Sequence, residues 1–151
     1  MGFKMPKDAR EYFKLIDRGN FRFKIMYDKY FICLMMGLKC GRLGSSEQLE
    51  SGDFLDYYPE LYADKSDLII GLLIDAEMRR QGIVAEDRPG VESLILKLIS
   101  HNSNTRLSEQ GVELLNLYAA YGLDVIRDKI TKTAELETFL VHYYNLINSA
   151  S

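Results

Sequence analysis

"MYDKYFICLMMGL", residues 26–38, decides the fold that this sequence predicts. The run is too long and too continuously apolar for an edge strand. Its apolar centre, residues 30–38, is the longest apolar stretch in the chain, and it has about half of the roughly 18 residues that a membrane span needs. We therefore predict a buried helix from about Phe23 to Lys39, although the preceding "FRFKI" (21–25) alternates like a strand.

The stretch that follows, "GLKCGRLGSS" (37–46), contains three glycines beside basic residues and serines. A P-loop needs a preceding strand and a Lys after the last glycine, and neither is present. A G-x-x-G at 41–44 would suit the phosphate-clamping loop of a KH module, which also requires a sheet that this sequence does not predict. We interpret Gly41 as a helix C-cap and Gly44 as a turn, with Lys39 and Arg42 near the negative end of the helix dipole.

Upstream of the buried helix, Pro6 suits the first turn of a helix that runs to about Arg18, and Gly19 suits its C-terminal cap. Downstream, residues 45–66 predict an irregular connection in which Ser45 and Gln48 form a capping box. Residues 67–148 predict further helices. Their boundaries or bends are marked by Ser66, Gly82, Pro89, Gly90, Ser108, Gly122, Ile130 and Thr133.

The last predicted helix has the clearest periodicity, with an apolar stripe formed by Leu136, Phe139, Leu140, Tyr143, Tyr144 and Ile147. We find no strand–helix alternation of the kind that a nucleotide-binding α/β sheet would show. The sequence therefore predicts an all-α fold, a bundle of five to seven helices in a single domain over 1–151, with a short N-terminal ribbon as a further option.

Charge divides the chain unequally. Residues 1–44 hold ten basic and four acidic residues, whereas 45–151 hold nine basic and eighteen acidic ones, so that a basic helical pair (1–44) precedes an acidic helical remainder (67–148). This asymmetry favours an anionic partner for the basic part, or charge pairing within or between subunits. The predicted nucleic-acid-binding residues are Lys7, Arg10, Lys14, Arg18, Arg22, Lys24, Lys39 and Arg42.

Four of these residues, Lys7, Arg10, Lys14 and Arg18, share one flank of the first predicted helix. Such a flank can neutralise phosphates without reading bases, which gives salt-sensitive and mainly non-specific binding. A surface that meets an acidic protein partner, or a solvated mixed-charge face without a role, would show the same pattern.

The sequence contains few residues in the patterns that are typical of catalytic or metal sites. We therefore predict that the protein is not an enzyme and uses no cofactor or metal. His101 and His142 lie far apart in sequence, and Cys33 and Cys40 lie too far apart on one helix for a disulfide. The candidates for an acidic metal site are carboxylates that the sequence predicts to face solvent, such as Asp64, Asp67, Asp75 and Glu77. No small-molecule substrate is evident, and the absence of a secretion signal or membrane span leads us to expect a cytoplasmic protein.

The order "FKM" (3–5), "PKDAREYFKLIDRG" (6–19) and "KIMYDKYFICLMMGL" (24–38) resembles a ribbon-helix-helix layout. With the later "DKSDLIIGLLIDAEMRRQGI" (64–83), it resembles the DndE family, the small helical accessory subunits of bacterial DNA phosphorothioation systems. The resemblance covers at most residues 1–100. It implies DNA binding, self-assembly, and a ribbon that pairs with a second subunit and enters the major groove.

These observations predict a non-enzymatic accessory subunit that contacts DNA through the basic N-terminal region, in a bacterial DNA-modification or defence system. The alternative is a protein-interaction or self-assembly module in which the basic surface of one copy meets an acidic surface of another copy or of a partner protein.

Overall fold

The computed structural model describes residues 2–149, and within them the predicted all-α, single-domain fold is confirmed. Two 3-10 turns, Ser46–Gln48 and Glu60–Lys65, lie in the predicted irregular connection. The described residues form seven α-helices: α1 Ala9–Tyr12, α2 Lys14–Asp17, α3 Met26–Cys40, α4 Ser66–Gln81, α5 Arg88–Leu98, α6 Glu109–Lys129 and α7 Leu136–Ser149.

Helices α3 and α6 form the centre of the molecule and approach each other through glycines. A Cβ built on Gly37 would lie 1.8 Å from the carbonyl oxygen of Tyr118, and a Cβ on Gly122 would lie 1.8 Å from the carbonyl oxygen of Cys33. No side chain fits at either position without moving a helix backbone. Gly122 was predicted to bend the chain, but α6 continues through it, because the glycine serves close packing rather than a turn.

The N-terminal segment pairs within its own chain, whereas the ribbon-helix-helix layout had implied pairing with a second subunit. Phe3 and Pro6 form isolated antiparallel bridges with Leu55 and Leu49. Phe3 and Met5 are fully buried in the core. These bridges are too short to count as strands, so the ribbon is part of the packing of this domain.

A buried asparagine on α6 fixes this segment in place. The Asn116 side-chain oxygen accepts hydrogen bonds from the Lys4 backbone N–H at 3.0 Å and from the Tyr30 hydroxyl at 2.7 Å. Its amide nitrogen donates to the Gly2 carbonyl at 3.2 Å. Both polar atoms of the buried Asn116 side chain therefore have hydrogen-bond partners within the protein, as buried polar groups need.

The prediction of one helix over residues 6–18 is wrong, since α1 and α2 are separated at Phe13 (φ −90°, ψ 4°). The reason is aromatic packing: the buried Phe13 ring makes edge contacts with Tyr12, Phe23 and Phe139 at centroid distances of 5.0–5.4 Å. The break lets Tyr12, Phe13 and Ile16 all enter the core, while Leu15 stays exposed.

Most other predicted boundaries are confirmed. Gly41 (φ 68°) and Gly82 (φ 71°) end α3 and α4 in the left-handed conformation that glycine adopts without strain. The Ser108 hydroxyl accepts from the Gly111 N–H and caps α6. Helix α3 begins at Met26, later than predicted, because the Asp28 carboxylate accepts the N–H groups of residues 24 and 25 and fixes the start there.

No helix in residues 2–149 has the length and apolar character needed to cross a membrane. The thiols of Cys33 and Cys40 are both free, as their spacing predicted, and Cys33 is fully buried.

Candidate functional site

The eight predicted nucleic-acid-binding residues are all exposed, but the fold distributes them over separate places. Four of them, Lys14, Arg18, Arg22 and Lys24, lie on α2 and the connection to α3; we call these four the basic segment. Within the described part of the chain, Arg18, Arg22 and Lys24 make no ion pair, and Lys14 makes one long contact of 3.8 Å with Glu11. Three cations of the basic segment are therefore available to an anion.

One acidic residue, Asp17, lies within the basic segment, and its charge is already matched. Its carboxylate contacts the ammonium group of Lys29 at 2.5 Å, and the Lys29 side chain is buried. Glu135 and Glu137 border the same depression as Asn20 and Phe21, so one rim of the basic segment is acidic. The basic segment therefore has uncommitted cations on α2 and the connection, and two glutamates on one side.

Lys7 and Arg10 do not extend the basic segment. Arg10 donates through Nε and Nη2 to both carboxylate oxygens of Glu50, at 2.8 and 3.0 Å, so its charge is used within the chain. Lys7 borders a small depression that also contains Glu47 and Asp124. The predicted common flank is lost because the break at Phe13 and the Glu50 partner redirect these residues.

Lys39 and Arg42 lie at the opposite end of α3 from Lys24. A fifteen-residue helix is about 22 Å long, so these two cations and the basic segment form two distinct positive sites. The predicted role of Gly41 as a C-cap explains their placement, since both flank the turn that ends α3.

A cleft of about 610 Å³ opens beside α3, and sequence reasoning did not find it. We call it the apolar cleft. Its walls are predominantly apolar side chains of α3, α4 and α7: Phe31, Ile32, Met35, Leu38, Leu72, Tyr143 and Ile147. On the α7 wall, the Tyr143 hydroxyl donates to the Ile32 carbonyl at 2.7 Å, so its polar atom is already paired. Burial also raises the pKa of Tyr143, which stays neutral.

The polar groups of the apolar cleft gather at one end, where Lys39, Asp75 and Arg79 lie. Arg79 donates to the Asp75 carboxylate at 3.1 Å and to the Leu38 carbonyl at 2.8 Å, so it caps the C-terminus of α3. Its guanidinium is therefore committed within the protein. The Lys39 ammonium makes no ion pair among residues 2–149.

The pKa of the Cys40 thiol depends on the basic residues at this end of the cleft. Burial raises the pKa of its thiol, while Arg42, Arg79 and Lys39 act in the opposite direction. Three cations thus lie close enough to act on one sulfur, with Asp75 as the single acidic residue lining the cleft.

A hydrogen-bonded network around the buried Glu77 carboxylate joins α4 to α6 through the Tyr118 hydroxyl. The Glu77 carboxylate accepts hydrogen bonds from Arg80, Gln81 and the Tyr118 hydroxyl. Burial alone would raise the pKa of Glu77, but these three hydrogen bonds outweigh it and lower that pKa below its ordinary value. Because every acceptor position is filled, we assign Glu77 to structure.

The carboxylates considered for an acidic metal site are paired with basic side chains instead: Asp64 with Lys65, Asp67 with Arg106, Asp75 with Arg79 and Glu77 with Arg80. Across residues 2–149, no three His, Cys, Asp or Glu side chains lie together as a metal site would require. His101 and His142 are both exposed.

Comparison of this chain with protein-family models, with curated proteins and with solved structures finds no match.

Proposed function

We propose that this protein is a non-enzymatic nucleic-acid-binding subunit that contacts the phosphate backbone through the basic segment. The observation that carries the proposal is the exposure of Arg18, Arg22 and Lys24, which make no ion pair within residues 2–149. Cations held in this way neutralise phosphates and release counterions, with no requirement for base contacts.

The proposed DNA contact uses four of the eight predicted nucleic-acid-binding residues, those of the basic segment. It does not use the N-terminal ribbon. The bridges of Phe3 and Pro6 occupy the ribbon within the domain, so the connection between α2 and α3 carries the contact instead. The resemblance to DndE supports DNA as the polyanion and a role in bacterial DNA modification or defence.

Fluorescence anisotropy of a labelled DNA duplex, measured over a series of salt concentrations, tests this function. Three or four phosphate contacts give a slope of log affinity against log salt of about −3. The double variant Arg18→Glu/Arg22→Glu should weaken binding roughly tenfold or more and reduce the slope by about two. The charge-matched control Lys39→Glu/Arg42→Glu, at the far end of α3, should retain most of the affinity.

The two glutamates beside the basic segment give a second variant, for which the expected change in DNA affinity is in the opposite direction. Glu135→Gln/Glu137→Gln removes two negative charges near the basic segment and should strengthen DNA binding. Equal affinities for the wild type and the Arg18/Arg22 variant would refute the proposal, as would the absence of any DNA binding at low salt.

A second candidate function, self-assembly through opposite charges, is favoured by the acidic residues of the other half. Glu86, Glu92, Glu109 and Glu113 are exposed on α5 and its flanks and at the start of α6, and none is in an ion pair among the described residues. Light scattering should then show oligomers that dissociate as salt rises. A monomer at every salt concentration would exclude this candidate.

A further inference from the structure

The apolar cleft has the size and composition of a small-molecule site. Its volume of about 610 Å³ lies within the range of about 300–1,000 Å³ that such sites occupy. Its walls come from three helices that are far apart in sequence, so only the folded chain forms it. A cleft of this volume suits one small-molecule ligand.

The shape of the cleft follows α3. Phe31, Ile32, Met35, Leu38 and Lys39 repeat along one face of that helix, and eight residues of helix span about 12 Å. The apolar wall is therefore linear and ends at a charged residue. A linear hydrocarbon chain matches the wall, since burying it removes apolar surface from water on both sides.

The polar residues at the end of the cleft determine which charge the head group of the ligand should carry. The Tyr143 hydroxyl donates its proton to the Ile32 carbonyl, and the Arg79 guanidinium already contacts the Asp75 carboxylate and the carbonyls of Leu38 and Lys39. Lys39 remains, exposed and without an ion pair within residues 2–149, and Arg42, which does not line the cleft, follows three residues later and is likewise exposed and without an ion pair there. An anionic head at this end meets the uncommitted ammonium group of Lys39, whereas a cationic head meets repulsion.

We propose that the apolar cleft binds a linear alkyl carboxylate, a fatty acid, with its chain along α3 and its carboxylate at Lys39, three residues before Arg42. This site is distinct from the basic segment, which lies at the other end of α3. The carboxylate is held by charge-assisted contacts at the mouth, and α7 closes one side of the chain through Tyr143 and Ile147.

A single tryptophan gives a direct measurement, because the chain contains none. Phe31→Trp places the reporter in the cleft wall, and Phe21→Trp, at a position that is 71% exposed and outside the cleft, is the matched control. Dodecanoate, dodecanol and dodecyltrimethylammonium are titrated below their micellar concentrations, with far-UV circular dichroism recorded in parallel. The proposal predicts a saturable response to dodecanoate for Phe31→Trp only, and much weaker binding of the cationic amphiphile.

Charge reversal at the mouth of the cleft distinguishes the contribution of the ligand's head group to binding from that of its alkyl chain. In the Phe31→Trp background, Lys39→Glu/Arg42→Glu should weaken dodecanoate binding roughly tenfold and leave dodecanol unchanged. Lys24→Glu, at the far end of α3, should change neither. Equal affinity for the three head groups would overturn the proposal, and so would no saturable response, or a response that appears only where circular dichroism shows unfolding.

Isothermal titration of the wild type with dodecanoate gives the same test without a reporter, in case Phe31→Trp fails to fold. Binding with a stoichiometry near one is the expected result. Heat that shows no saturation would contradict the site.

Discussion

Helix α3 packs against α6 on one side and borders the apolar cleft on another, and the two sides are built from different residues. Toward α6, it presents Gly37 and the Cys33 carbonyl, and the two backbones touch. Toward the cleft, it presents the large side chains of Phe31, Ile32 and Met35, which line the space that α4 and α7 also border. Small residues allow helices to meet, and large residues that do not interdigitate leave space for a ligand.

Gly37→Ala should break the α3–α6 side most severely. The added methyl group would overlap a backbone carbonyl that cannot rotate away, so we expect a loss of about 3 kcal/mol or more in the free energy of unfolding. Urea denaturation measures it. The matched control is Gly71→Ala in α4, where a Cβ meets no atom within 4 Å and helix propensity predicts a gain of about 0.5–1 kcal/mol. Similar stabilities of the two variants would contradict the described contact.

Glu77→Gln should lower the free energy of unfolding by about 2 kcal/mol at neutral pH, because Arg80 on α4 and the Tyr118 hydroxyl on α6 lose their buried carboxylate partner. The effect depends on pH with a defined sign. Since the folded pKa of Glu77 is lowered, its contribution is complete above the ordinary glutamate pKa of about 4.3 and is lost as pH falls through the folded value.

The difference in unfolding free energy between wild type and Glu77→Gln should therefore shrink in acid, as followed by urea denaturation at several pH values. A difference that stays constant with pH would show that the carboxylate charge has no part in the link.

Two buried tyrosines of α3 should respond to the loss of their hydroxyls with opposite signs. Tyr30→Phe removes the hydrogen bond to Asn116 and should cost about 1 kcal/mol. The Tyr27 hydroxyl is buried and has no partner among the described residues, so Tyr27→Phe should stabilise the protein by about 1 kcal/mol. Thermal denaturation of both variants checks this. Equal shifts in Tm would mean that the Tyr27 hydroxyl has a partner.

Tyr143→Phe tests the cleft side and should have the smallest global effect, about 0.5 kcal/mol, because its hydroxyl donates to a helix carbonyl in a half-buried setting. The local effect should be larger, since this bond ties α7 to α3. Amide hydrogen exchange should accelerate in α7 and stay unchanged in α6. Unchanged exchange in α7 would show that apolar packing alone holds that helix.

The residues that predicted helix ends did so through local chemistry. Gly41 and Gly82 adopt the left-handed conformation at their own positions, and Ser108 caps the turn that follows it, so no distant contact is needed. The candidate site was only partly predictable. Exposure of the basic residues follows from their charge, but the Glu50 partner of Arg10 lies forty residues away and leaves no local signal.

The sequence by itself determined the all-α class, the central apolar helix and most helix boundaries, because periodicity and capping act within a few residues. Only the tertiary structure decided that Gly122 serves packing rather than bending, that the N-terminal segment lies in the core, and that six of the eight predicted cations form two sites at opposite ends of α3. It also formed the apolar cleft from residues between 31 and 147. These features depend on which helices meet and at what distance, and that is set by the fit of side chains from segments far apart in the chain.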